Sequence, residues 1–170
     1  LNNGEIASAI AVQTYGEWFD TKLESLLQPF SLELLKNQLQ EQMVKANEQI
    51  IAYGRTHGIR LGTTCSVLLI IDHFFYILIH IGDTRVYELR EEIKPMTRDH
   101  TLVEREVILG RLTPEEAEDD HRHNILLQCL GDRISIYPDI QVGEVKTNCV
   151  FLLCTDGFYR RTTTMELAKL

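Results

Sequence analysis

The chain has 170 residues, enough for one domain with a single sizeable core, and its 44% hydrophobic and 25% charged residues are ordinary for a globular protein. This composition excludes the disordered, collagen-like and coiled-coil classes. The formal net charge of -8 argues against nucleic-acid binding, which needs clustered Lys and Arg, and it suits an enzyme that binds cations.

Two amphipathic helices are predicted before any strand. From Gly4 to about Phe19, apolar residues recur at steps of three and four, which is typical of a helix with one buried face. Gln28-Pro29 ends this pattern, and a second helix is predicted from Ser31 to Tyr53. Ser31 is its expected N-cap and Gly54 its expected C-terminal stop. The two helices are expected to form one covering layer.

The stretch from Leu61 to Leu89 is the centre of the predicted fold. It contains two apolar runs, Val67 to Ile71 and Phe74 to Ile81, separated by Asp72-His73, and this spacing predicts a tight β-hairpin. Both faces of the second run are largely apolar, whereas a sheet with one wet face would alternate apolar with polar residues. The hairpin is therefore expected to be covered on both sides, as in a sandwich.

After the hairpin, the pattern predicts short strands at Val86–Leu89 and Ile93–Met96, followed by two short helices separated at Gly110. The helix starts are marked by two capping-box patterns, Thr101-Leu102-Val103-Glu104 and Thr113-Pro114-Glu115-Glu116.

In the last part of the chain, the pattern predicts a charged loop followed by four elements. They are a brief helical segment at Ile125–Leu130, a weak strand near Ile134–Val142, a strong strand at Asn148–Cys154 that ends at Thr155-Asp156-Gly157, and a helix over Thr164–Leu170.

Four cysteines, Cys65, Cys129, Cys149 and Cys154, lack paired metal-ligand spacing, which favours a reduced, cytoplasmic protein. No apolar run reaches the roughly 18 residues that a membrane span needs, and no signal peptide opens the sequence.

Asp156 is the strongest candidate for chemistry. It follows an apolar strand, and a carboxylate held at a rigid strand end is well placed to bind a hard divalent cation. The alternative is that Asp156-Gly157 only forms a turn. Asp99 lies beside a helix start, where the alternative to a functional role is a cap or a solvated charge. Asp83 is expected to stabilise the bend between strands through local hydrogen bonds.

Histidines supply weaker candidates. His121 and His123 form a His-x-His pair that could bind metal, but a solvated surface loop is the favoured interpretation. His80 is expected to pack in the core with both ring nitrogens satisfied.

Seven short segments in a fixed order give the chain a family resemblance. The segments are Gly4-Glu5-Ile6-Ala7-Ser8, Gly62-Thr63-Thr64, Ile81-Gly82-Asp83-Thr84-Arg85-Val86-Tyr87, Thr97-Arg98-Asp99-His100-Thr101-Leu102-Val103, Leu112-Thr113-Pro114-Glu115-Glu116-Ala117, Asn124 with Leu130-Gly131, and Leu153-Cys154-Thr155-Asp156-Gly157-Phe158. In these segments the chain resembles the metal-dependent Ser/Thr protein phosphatases of the PP2C family in their compact bacterial form.

The resemblance implies an α+β fold, a four-layer α/β/β/α sandwich of two antiparallel sheets flanked by helices. A single domain is expected over residues 1–170, incomplete at both ends. In the family, an Asp-Gly-x-Gly-Gly motif precedes the segment that matches Asn3-Gly4-Glu5, and a late Asp-Asn strand supplies another metal ligand; this sequence starts after the first and stops before the second.

The resemblance also implies hydrolysis of phosphoserine and phosphothreonine by a water activated by Mn²⁺ or Mg²⁺. Two core ions and a third, weaker one are expected, with Asp156 among the core carboxylates and Asp99 at the third ion. A mobile flap is expected at roughly Leu102 to Asn124.

Phosphorylated proteins and a Ser/Thr kinase are the partners that the resemblance implies, for a monomer that binds neither nucleic acid nor membrane. A non-catalytic PP2C-like domain that binds a partner or phosphoprotein is the alternative, because the flanking metal motifs are missing from the sequence. A PP2C-related phosphatase that regulates a stress or sporulation factor is a further alternative.

Overall fold

Two long helices open the computed structural model, which describes residues 3–162: α1 Gly4–Leu26 and α2 Leu32–His57. The Ser31 hydroxyl caps α2 as predicted, accepting a hydrogen bond from the Leu34 amide at 3.2 Å. The predicted stop at Gly54 is wrong, because α2 continues to His57 and its C-cap is Gly58 in the left-handed conformation, with φ 65°. Gly54 is instead buried inside the helix, where a side chain would overlap the returning backbone at Ile59.

The two helices form one layer, as predicted, and bury their apolar faces against the first sheet. The apolar faces predicted for the two helices are largely confirmed as the buried faces. The fully buried residues of α2 include Leu35, Leu39, Met43, Ala46 and Ile50. Two polar residues, Thr14 on α1 and Asn47 on α2, are buried on the same faces and were not predicted.

Within residues 3–162, six strands form two antiparallel three-stranded sheets. The strands are β1 Cys65–Ile71, β2 Phe75–Ile81, β3 Arg85–Leu89, β4 Ile93–Pro95, β5 Asp139–Glu144 and β6 Val150–Cys154. The first sheet has the order β1-β2-β5 and the second β4-β3-β6. The predicted hairpin is β1-β2, and its connection places Asp72 and His73 at φ 49° and 60°, the left-handed values that a tight hairpin turn uses.

The central strand β2 is covered on both sides, as its sequence predicts. Ile77, Ile79 and Ile81 belong to the core beneath the helices. Leu78, 1% exposed, packs instead with Val86 of the second sheet and with Met96, the residue after β4. The alternation of these contacts along one strand follows from the two-residue period of β-structure, so β2 joins the helical layer to the second sheet.

The α+β class with two stacked antiparallel sheets and flanking helices is confirmed. Beside the second sheet, the described residues contain no helix as long as α1 or α2; there the short helix α5 Asp156–Tyr159 follows β6. In the sequence, α3 Leu102–Ile108 and α4 Pro114–Asp119 lie between β4 and β5, at the predicted positions. Within 3–162, no helix combines the length and apolar character needed to cross a bilayer.

The predicted helical segment Ile125–Leu130 is wrong. Its backbone is irregular and forms isolated β-bridges to other segments at Leu126 and Leu130. The amides of Leu127 and Leu130 donate to the carbonyls of His100 and Thr63, so long-range partners replace the helical ones. The weak strand begins at Asp139 instead of near Ile134, and the helix predicted over Thr164–Leu170 lies outside the described residues.

Candidate metal centre

A cleft of about 570 Å³ lies where several chain segments converge. Its lining comes from the start of α1, the loop before β1, the turn between β2 and β3, the irregular segment 124–132 and the start of α5. Three carboxylates belong to the lining, those of Asp83, Asp132 and Asp156.

Asp83 enters the cleft from the turn that joins the first sheet to the second. Gly82 makes this turn possible, since its φ is 114° and a Cβ there would overlap Thr64. The carboxyl of Asp83 is half-buried, and its pKa is raised, first by burial and then by the negative charges of Asp156 and Asp99. The site therefore holds a carboxylate whose ionised form is destabilised by its surroundings.

Asp156 enters the same cleft from the end of β6. It is the first residue of α5, with Thr155 at the N-cap, and its side chain is 49% exposed. The cation paired with it is Arg160, whose Nε lies 4.0 Å from Oδ2. The structure thus places Asp156 at the end of an apolar strand and in a cleft; the chain continues there as a helix and not as a simple turn.

These two side chains have the donor type that Mn²⁺ or Mg²⁺ prefers, because both metals are hard cations that bind carboxylate oxygens. A divalent cation would also offset the nearby negative charges that, after burial, raise the pKa of Asp83. Across residues 3–162, no three acidic, His or Cys side chains converge into a ready ligand set. Asp83 and Asp156 would therefore hold an ion together with water or other oxygen donors.

Asp99 lies apart from the residues that line the cleft and binds an arginine. Arg85 donates to both of its carboxylate oxygens, with Nε–Oδ1 at 3.1 Å and Nη2–Oδ2 at 2.9 Å. The Asp99 side chain is only 11% exposed. Its position next to a helix start does not make it a cap, since Thr101 caps α3. Asp99 is near enough to Asp83 to affect its pKa, while its own oxygens are engaged by Arg85.

The histidines take the structural positions that the sequence favours. His80 is 1% exposed, and its Nε2–H donates to the Arg98 carbonyl at 3.2 Å while Nδ1 accepts from the Ser66 hydroxyl at 2.8 Å. Burial, followed by the nearby His100, lowers the pKa of His80 to about 4, so its ring is neutral at pH 7. His121 has a side chain that is 92% exposed and lies in a loop outside the cleft.

Sequence analysis missed the position of Asp83 in the cleft and interpreted it as a residue of the bend. The available signal was its place in the Gly82-Asp83-Thr84-Arg85 segment, which matches a family motif. Asn47 was also missed. Its buried amide binds the loop at 131–134, which carries Asp132 to the cleft. Its signal was a polar residue beside Ala46 on the buried face of α2.

Solved structures and relatives agree with this architecture. The crystal structure of the serine/threonine phosphatase Stp1 from Staphylococcus aureus shares the fold, with a TM-score of 0.87 at 24% identity over 97% of this chain and 64% of that chain. A crystal structure of the PstP catalytic domain in complex with two manganese ions matches with a TM-score of 0.80 and 26% identity, covering 97% of this chain and 66% of that chain.

In sequence, the protein phosphatase PhpP of Streptococcus pneumoniae is 34% identical over 167 residues, which are 96% of this chain and 65% of PhpP. The chain thus spans just under two thirds of the length of that relative. The sequence profile of protein phosphatase 2C matches residues 2–169. With its two stacked sheets and its carboxylates at one cleft, this chain belongs to the protein phosphatase 2C family.

Proposed function

We propose that this chain forms most of the catalytic domain of a metal-dependent phosphatase that hydrolyses phosphoserine and phosphothreonine on proteins. The observation that carries the proposal is the convergence of Asp83 and Asp156, from two separate segments, in one open cleft of a protein phosphatase 2C fold. Residues 1–170 are proposed to act as one domain. The relatives' names, protein phosphatase PhpP and serine/threonine phosphatase Stp1, support this substrate class.

Different aspartates of the chain are assigned different roles at the metal site. Asp156, placed by β6, and Asp83, placed by the glycine turn, would hold the divalent cations, Mn²⁺ or Mg²⁺. Two such ions, and a third more weakly held, would activate a water for attack on phosphorus and neutralise the phosphoryl oxygens. The manganese in the PstP structure supports this choice of metal. Asp99 stays a prediction as a ligand of the third ion, since it would have to exchange Arg85 for the metal.

We propose phosphorylated proteins as partners, together with the Ser/Thr kinase that supplies them, and a monomer located in the cytoplasm. An open cleft suits a phosphorylated side chain presented on a protein surface. The segment that contains α3 and α4 borders the cleft at Asn124 and is proposed as the mobile flap over it.

The test is release of inorganic phosphate from phosphoserine and phosphothreonine peptides by the full-length protein, with and without Mn²⁺. Asp156→Asn keeps the size of the side chain and removes its charge, so we expect phosphate release to fall at least about 100-fold, the scale seen when a preorganised charge is lost from an active site. Asp20→Asn, an exposed position on α1, is the matched control and should keep the parent rate.

Two results would contradict the proposal. Undiminished activity of Asp156→Asn would remove that carboxylate from the metal centre. Binding of a phosphopeptide without release of phosphate, in the presence of Mn²⁺, would favour the non-catalytic alternative.

A further inference from the structure

We propose that Tyr159 is a positioning residue that ties the two metal-binding segments together and thereby raises the affinity of the site for divalent cations. The inference rests on the proposed function, because it assigns Tyr159 a role toward the metal that Asp83 and Asp156 would hold. Tyr159 itself is not a ligand. It would act through the backbone of Asp83 on one side and through α5 on the other.

The first observation is a hydrogen bond between the two segments. The phenolic hydroxyl of Tyr159 donates to the backbone carbonyl of Asp83 at 3.1 Å. Tyr159 lies in α5, the helix that starts at Asp156. This single bond therefore joins the turn that carries one carboxylate to the helix that carries the other.

The second observation is that α5 is too short to be stable as an isolated helix. A helix of four residues lies far below the length at which helices are stable alone, so its place must come from tertiary contacts. Tyr159 provides one, from the last residue of α5 to the turn that carries Asp83.

The third observation is the clamp that fixes the Tyr159 ring. The guanidinium carbon of Arg85 lies 3.8 Å from the centre of the ring, in a cation–π contact. Arg85 is in turn held by Asp99 through Nε and Nη2, which fixes the plane of the guanidinium. Asp99 thus supports the ring of Tyr159 through Arg85.

Together these contacts preorganise the site. Two carboxylates that repel each other would move apart if their segments were free, and a cation would then have to draw them together at the expense of its binding free energy. A bond between the segments removes part of that cost before the ion arrives. The hydroxyl of Tyr159 should therefore change metal affinity more than it changes folding.

The test compares two tyrosine-to-phenylalanine variants of the full-length protein. Tyr159→Phe keeps the ring on Arg85 and removes only the hydroxyl. Tyr15→Phe is the matched control, because Tyr15, like Tyr159, is half-buried and donates to a backbone carbonyl, that of Leu39 at 2.9 Å, within the helical layer. Mn²⁺ affinity is measured by isothermal titration calorimetry, and the stability of the metal-free protein by urea unfolding.

We expect Tyr159→Phe to weaken Mn²⁺ binding about threefold to tenfold, the effect of one hydrogen bond. Tyr15→Phe should lose stability and keep the parent affinity. A second variant pair tests the route of the effect: in an Asp83→Asn background, Tyr159→Phe should change the affinity by less than about twofold, because the group it positions is gone.

Three outcomes would overturn the inference. Equal Mn²⁺ affinity of Tyr159→Phe and parent would remove Tyr159 from the site while leaving the proposed function intact. An undiminished effect of Tyr159→Phe in the Asp83→Asn background would show that it does not act through Asp83. Failure of the unaltered full-length protein to bind Mn²⁺ would overturn the proposed function and the inference together.

Discussion

Asn47 offers the sharpest test of how the helical layer supports the cleft. The residue is fully buried on α2, and its side-chain amide makes three hydrogen bonds to the loop after Leu130. Nδ2 donates to the carbonyls of Arg133 at 2.8 Å and Ile134 at 3.2 Å, while Oδ1 accepts from the Gly131 amide at 2.8 Å. Asn47→Ala removes all of these partners at once.

The size of the stability loss depends on whether water can replace the lost hydrogen bond at each partner. Arg133 and Ile134 are exposed residues, so water can replace the lost bonds to their carbonyls at about 0.5–1.5 kcal/mol each. The amide of Gly131 is less accessible and would be left without an acceptor, at about 1–3 kcal/mol. We expect a loss of about 2–6 kcal/mol, a large part of the roughly 5–15 kcal/mol that stabilises a domain.

The assay is urea unfolding in the presence of a chelator, followed by circular dichroism. Asn47→Ala should lower the midpoint with an unchanged m-value, because the surface exposed on unfolding stays the same. Asn37→Ala is the matched control on the exposed face of α2 and should shift the midpoint little. A loss below about 0.5 kcal/mol for Asn47→Ala, or an equal loss in the control, would show that the loop is held by other contacts.

Three further predictions concern the turn at the site and the core. At pH 7, Asp83→Asn should raise the urea midpoint of the metal-free protein, because the raised pKa of Asp83 means that its ionised form destabilises the fold. The gain should disappear below about pH 4, where the carboxyl is neutral in both the folded and the unfolded state. A series of urea midpoints measured over this pH range checks the prediction. Gly82→Ala should destabilise by more than about 1 kcal/mol, since φ is 114° there, whereas Gly16→Ala, with open space in α1, should stabilise by about 0.5–1 kcal/mol in thermal unfolding. Leu78→Ala, between the two sheets, should cost about 2–5 kcal/mol in urea unfolding, against a smaller loss for the 44% exposed Leu153→Ala, and equal losses would contradict the stacked-sheet core.

The elements with strong local patterns were predicted from the sequence alone. The apolar face of α2, the Ser31 cap and the capping box at Thr113 depend on residues three or four positions apart, so local spacing determines them. The hairpin β1-β2 was equally readable, because both its strands are apolar on two faces. The segment Ile125–Leu130 failed for the opposite reason: its amides bind Thr63 and His100, partners that no local pattern reveals.

The sequence by itself determined that Asp156 follows an apolar strand, because the apolar residues and the strand end occupy consecutive positions. Only the structure shows that this strand is partly exposed, at Val150 and Leu153. Only the tertiary structure decided which carboxylate joins it. Asp83 and Asp99 both precede Asp156 by many residues, and packing of the second sheet brings Asp83 into the cleft while Arg85 takes Asp99. Residues far apart in the sequence come together only when whole elements pack against each other. That packing depends on contacts throughout the core and not on either motif alone.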